Sequence, residues 1–258
     1  MSKRRFYISL LMVVVIALPI WKAMAAEPEG LVLYLSFEEQ DPVDHSTNPA
    51  NVSIRGALKQ VNGKFGRAME FDGNAANYIE VDHSDKLEGM SALTIEVWVN
   101  PTSPDVNARA IVSKRTAFQN DDIYNLFSWN EVKMWARVNA NEAQQVGSET
   151  ILDDGTWYHF AYIFNGGAPE DERQKLYVDG VLEAENSHPD ESVGKSGQPL
   201  WIGILNAGYA QSWNGMMDEL RIWDKALSEG EITLARQGKI NPVEPRAKLA
   251  TTWGDIKG

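Results

Sequence analysis

The chain has 258 residues, 43% of them hydrophobic, with nine Trp, eight Tyr and eight Phe, enough for a sizeable core in one all-β domain. A net charge of −12 argues against nucleic acid, whose phosphates need clustered Lys and Arg. The absence of cysteine excludes disulfides, thiolate zinc sites and a Cys nucleophile, and the four histidines (His45, His83, His159, His188) are scattered with no H-E-x-x-H pair.

The chain opens on "MSKRR", then the uncharged apolar run "FYISLLMVVVIALPIW", then Ala23-Met24-Ala25. That order predicts a secretory signal over residues 1–25, cleaved after Ala25. The run is shorter than the ~20 residues of a comfortable span, although retention as an uncleaved anchor stays open. With no cysteine after it, a lipid anchor is excluded. The chain from residue 26 on is therefore expected to be secreted, periplasmic or at the cell surface.

From Leu31 the pattern is short segments of period two. "LVLYLSF" places Leu31, Leu33, Leu35 and Phe37 on one face. "ALTIEVWVNP" sets Leu93, Ile95, Val97 and Val99 against Thr94, Glu96 and Trp98. "EVKMWARV" sets Val132, Met134, Ala136 and Val138 against Lys133, Trp135 and Arg137. "TWYHFAYIF" is apolar on both faces, as a central strand should be. "QKLYVDGVLEAE" holds Asp179-Gly180 between two strand-like halves, a hairpin signal. In "NGMMDELRIW" the alternation puts Met216, Asp218, Leu220 and Ile222 on one face, so a carboxylate falls among apolar residues, where it needs a partner. In "LSEGEITLARQG", Ser228 and Glu231 form a capping box and Gly238 a C-terminal cap. A Pro-punctuated linker and short tail fill residues 239–258.

Turns at short intervals predict an all-β, two-sheet antiparallel jelly-roll sandwich over residues 26–238, with one short C-terminal helix.

The ordered stretches "LYLSFEE", "GKFGRAMEFDG", "YIEV", "LTIEVWVNP", "IVSK", "DGTWYHFAYIFNG", "LYVDGVL", "LWIG" and "GMMDELRIWDKALSEGEI" resemble the laminin-G-like, concanavalin A-like jelly rolls of the pentraxin-related branch. The resemblance covers about Leu31 to Leu234. It implies non-catalytic modules that bind glycans or proteins, often with a structural calcium. It also implies that Asp218 holds this ion together with a D-x-S-x-N-type loop, here "DPVDHSTNPANVS", where Asp44, Ser46 and Asn48 keep the oxygen donors. Calcium takes 6–8 oxygen ligands, and these side chains suit it. Thr47 and Pro49 stand where the family usually has glycine. The alternative is that Arg55, Arg67 or backbone N–H groups satisfy Asp218.

Glucanases of this superfold carry E-x-D-x-x-E on one strand, and the nearest strings here, "EQDPVD" and "EVDHSD", lack the final Glu. No G-x-S-x-G elbow occurs either, and no catalytic residue is assigned. Glycan sites combine an aromatic face with amides and carboxylates. "ILNAGYAQSWNG" supplies Asn206, Tyr209, Gln211, Trp213 and Asn214, and "QNDDIYNLFSWNE" supplies Asp121, Asp122, Tyr124, Asn125, Trp129 and Asn130. Tyr209, Trp213, Asn206 and Trp129 are the ligand-binding candidates, with Glu96 and Trp98 behind them. The resulting expectation is a binding or adhesion module for a glycan or glycoprotein, or for a surface protein partner. A divergent hydrolase or lyase and a purely structural domain are the rivals. Asn51-Val52-Ser53 is an N-glycosylation sequon.

Overall fold

The computed structural model describes residues 28–115, 122–139, 142–206 and 211–239. The expected signal over residues 1–25, the tail from residue 240 and Tyr209 lie outside the described residues. In chain order the strands are β1 (Leu31–Leu35), β2 (Val52–Arg55), β3 (Lys59–Asn62), β4 (Arg67–Asp72) and β5 (Tyr78–Val81). There follow β6 (Ala92–Pro101), β7 (Arg109–Arg115), β8 (Asp122–Trp129), β9 (Lys133–Val138) and β10 (Val146–Ile151). The last are β11 (Tyr158–Asn165), β12 (Gln174–Val178), β13 (Val181–Asn186), β14 (Leu200–Ile202) and β15 (Asn214–Trp223), before helix α1 (Glu229–Arg236).

These strands make two antiparallel sheets. One runs β13-β12-β11-β6-β15-β4-β3 with β1 joined to β15, and the other runs β10-β9-β8-β7-β14-β5-β2. The inner faces interdigitate, with Val97, Val99, Phe160, Tyr162 and Leu220 from the first sheet against Val112, Leu126, Met134, Ala136 and Ile202 from the second. The alternation read from β6 and β9 holds. β11 lies between β6 and β12, which is why it is apolar on both faces: Ala161 and Ile163 turn outward into a second cluster with Tyr177, Trp223 and Ile232 of α1. The capping box of α1 forms as expected, Ser228 and Glu231 bonding reciprocally. Asp179 and Gly180 both adopt positive φ between β12 and β13, as a tight hairpin requires.

Two bulges correct the period-two reading. In β1 the register shifts between Leu31 and Leu33, which moves Leu31 into the outer cluster with Tyr34. In β15 it shifts between Asp218 and Arg221, with Glu219 at φ 55. The extra residue reverses the alternation, so Met217, not Met216, shares the core with Leu220 and Ile222. Asp218 therefore leaves the core face and pairs with Trp98 across the sheet.

Candidate functional site

Asp218 is fully buried, and its Oδ2 accepts the Phe65 backbone N–H at 2.8 Å. Its Oδ1 is buried with no hydrogen-bond partner. Burial, opposed by the Phe65 N–H, pushes its pKa up to about 8. Neither arginine neutralises it: Arg55 bonds Glu80 at 2.6 Å, while Arg67 bonds Asn62 Oδ1 at 2.8 Å and the Gln60 carbonyl at 3.0 Å. Asp218 sits instead against the turn between β3 and β4, where a Cβ on Gly63 would stand 2.6 Å from Oδ2. Glu38 reaches the same turn, accepting the Arg67 N–H at 3.3 Å and leaving no room for a side chain on Gly66. Two carboxylates thus converge on one glycine turn, and one of their oxygens is orphaned. This donor set fits a hard, oxygen-seeking cation such as calcium.

The D-x-S-x-N loop does not join it. Among the described contacts none links Asp218 to Asp44, Ser46 or Asn48. Asp44 Oδ1 accepts the N–H of Tyr34 (3.1 Å) and of Ser46 (2.9 Å), and Oδ2 accepts that of Ala50 (2.8 Å). The remaining ligand is Lys86, whose ammonium donates to Asp44 Oδ2 at 3.3 Å, to Ser46 Oγ at 3.0 Å and to the Asn48 carbonyl. The Lys86 ammonium thus stands among the oxygens that the expected ion would use. The histidine expectation also needs qualifying, since His83, Asp85 and Glu88 lie within reach of a common ion. Glu88 Oε2 is already engaged by the backbone N–H groups of Ser196 and Gly197 and by Lys114 at 3.5 Å.

The aromatic candidates separate. Trp213 is 2% exposed and belongs to the core, as does Tyr124. Trp213 is therefore not a free stacking surface. Asn206 is half-buried, and Asp122–Trp129 form strand β8. Glu96 and Trp98 are buried, hence closed to ligand. Glu96 Oε1 bonds Arg221 and Trp223 Nε1, each at 3.4 Å, and Arg221 also bonds Glu219, whose carboxylate accepts Tyr34 OH at 3.0 Å. Burial outweighs Arg221 and raises Glu96 to about 7, while burial and then the Arg221 charge depress His159 to about 3. This carboxylate pair is structural, sealed and arginine-bound.

Trp129 is 39% exposed and packs edge-on to Trp135, with centroids 5.9 Å apart. Trp135 Nε1 donates to the Trp129 carbonyl at 3.0 Å. The pair needs Gly147, where a Cβ would press 2.7 Å from the Trp135 ring. Both rings belong to the outer face of the second sheet. On that same face, register aligns Trp201 with Ser113, Ser113 with Asn125, and Asn125 with Arg137, across β14, β7, β8 and β9. Trp201 Nε1, Ser113 Oγ and Asn125 Oδ1 are all buried and unpartnered. Leaving such an atom unsatisfied costs about 1–3 kcal/mol, but Ser113 and Asn125 are as buried as Glu96 and Trp98. This row lies beneath the surface, and it is the Trp129–Trp135 pair that reaches the surface of this face. Trp135 and Arg137 are visible in the sequence as the polar phase of "KMWAR". The role of Ser113 and Trp201 depends on cross-strand register, which the sequence does not display.

The model for the concanavalin A-like lectin/glucanases superfamily matches residues 72–233, more than half of the chain, and the chain belongs to that superfamily. No curated protein matches it in sequence. Among solved structures it is similar to domain 4 of AbnA, a GH43 extracellular arabinanase from Geobacillus stearothermophilus, in complex with arabinotriose (19% identity, TM-score 0.62, 82% of this chain and 100% of that chain). It is similar also to the binding domain of Paraclostridial Mosquitocidal Protein 1 (14%, TM-score 0.65, 82% and 53%). A third is the botulinum neurotoxin serotype D ligand binding domain in complex with N-acetylneuraminic acid (14%, TM-score 0.64, 81% and 51%). The chain spans about half the length of these toxin domains. At such identities the likeness is one of fold.

Proposed function

We propose that this member of the concanavalin A-like superfamily is a secreted or surface-exposed, non-catalytic module that binds a glycan on the outer face of its second sheet. The observation that carries the reading is the Trp129–Trp135 pair on that face, with Trp129 39% exposed and the two ring centroids 5.9 Å apart. Sugars offer an apolar CH face for an indole ring and hydroxyls that both donate and accept. Two of the structural neighbours are in complex with arabinotriose and N-acetylneuraminic acid, which agrees with that ligand class. The leader-like residues 1–25 support export.

A structural calcium at Asp218, with Glu38 as second carboxylate, belongs to the same proposal. Its support is the orphaned Oδ1 and the glycine turn that both carboxylates abut. When bound, the ion supplies the countercharge that the arginines do not.

The test is a glycan array probed with the purified protein and with Trp135→Ala, each spot also checked for turnover. Binding lost in the variant supports the module. Turnover abolished by a single carboxylate change would favour an enzyme, and a blank array beside a captured surface protein would make the ligand a protein.

A further inference from the structure

We infer that the loop carrying Asp44, Ser46 and Asn48 is a cation site whose occupant is the chain's own Lys86 ammonium, so that this loop is ordered without a divalent ion. An ammonium has three donors and no acceptor, and Lys86 Nζ meets three oxygens: Asp44 Oδ2, Ser46 Oγ and the Asn48 carbonyl. The Asp44 carboxylate is fully buried, and its two oxygens also accept three backbone N–H bonds, from Tyr34, Ser46 and Ala50. Its capacity of about four lone-pair sites is thereby filled. A calcium ion needs six to eight oxygens at 2.3–2.6 Å, and none of the three around Nζ can approach one while the ammonium remains.

The delivery of Lys86 is fixed by its own neighbours. It lies in the short 3-10 turn Asp85–Leu87, whose Leu87 is buried in the core. The Leu87 carbonyl accepts Tyr124 OH at 3.0 Å. The next residue, Glu88, is pinned by the N–H groups of Ser196 and Gly197 at 2.9 and 3.1 Å. The chain that carries the ammonium is thus held by the contacts of the next two residues, Leu87 and Glu88. The loop's charge neutralisation is covalently tethered and does not vary with calcium concentration. A response to divalent ions then runs through a site other than this loop, Asp218 first among the described candidates.

Two measurements on the full chain decide this. The first is amine acetylation of the native protein, read by mass spectrometry, with exposed Lys59 as internal reference; Lys64 is unsuitable because its ammonium lies over the Trp98 ring. Slow modification of Lys86 relative to Lys59 is expected, and equal rates would overturn the inference. The second is the thermal midpoint with calcium alone and with EDTA, for the natural sequence, Asp218→Asn, and Asp218→Asn combined with Lys86→Ala. Losing one partner of a buried pair should lower the midpoint by at least about 5 °C in the Lys86→Ala variant, and calcium should restore part of that loss. Asp218→Asn alone should not respond to calcium. A calcium response that survives Asp218→Asn and disappears in Asp44→Asn would refute the tethered cation. No calcium response in the natural sequence would instead count against the Asp218 ion, and the labelling rate of Lys86 would still decide whether the ammonium fills the loop.

Discussion

Replacing Asp218 by Asn should blunt this protein's loss of stability with rising pH and abolish its response to calcium. In the fold the carboxyl is buried, and this outweighs the Phe65 N–H donated to it, so that its pKa is raised from 3.8 to about 8. The native state therefore keeps a proton that the unfolded chain releases above about pH 4. The stability from this group is complete below the unfolded pKa and is lost as pH rises through the folded one. At ~1.4 kcal/mol per unit, a rise of this size amounts to on the order of 5 kcal/mol. Asparagine keeps an oxygen for the Phe65 N–H and carries no charge. In EDTA, urea unfolding followed by tryptophan fluorescence should show the natural protein losing stability between about pH 5 and pH 8, while the variant loses much less. The two should be nearly equal at the acid end. With calcium the natural protein should recover at the alkaline end and overtake the variant. Parallel stability curves for the two proteins across this range would refute the assignment of the buried charge to Asp218.

Other perturbations have expected outcomes of their own. Arg221→Met should cost about 3–5 kcal/mol in urea unfolding, because it leaves Glu96 and Glu219 buried without their shared cation; a loss below about 1 kcal/mol would mean that the network does not depend on the guanidinium. Trp213→Ala should destabilise by about 3–5 kcal/mol as a core truncation and leave the intrinsic glycan affinity of the folded fraction unchanged. Gly147→Val should displace the Trp135 ring, which a Cβ there would meet at 2.7 Å, and so weaken glycan binding more than stability.

The sandwich was legible in the sequence because its core strands are amphipathic or central: β6 and β9 alternate cleanly, β11 is apolar on both faces, and Ser228, Glu231 and Asp179-Gly180 act through neighbours a few residues away. The ligand geometry was less so. A single left-handed residue, Glu219, reverses the faces of β15 and takes Asp218 out of the core. The partner of Asp44 lies 42 residues on, at Lys86, with no local pattern to link them. The indole of Trp213 looks like a loop aromatic by composition and is core by topology. Trp129 stands out within its own segment, but its companion Trp135 comes from another strand, joined only by register.

The most direct test of the glycan site is calorimetric affinity for an oligosaccharide identified on the array, compared among the natural protein, Trp135→Ala and Trp129→Ala. A glycan seated on the outer face of the second sheet predicts at least about a tenfold loss for each variant, or ~1.4 kcal/mol, with unfolding stability lowered by no more than about 1 kcal/mol for Trp135→Ala. Undiminished affinity in both folded variants would contradict the site, and with it the central claim.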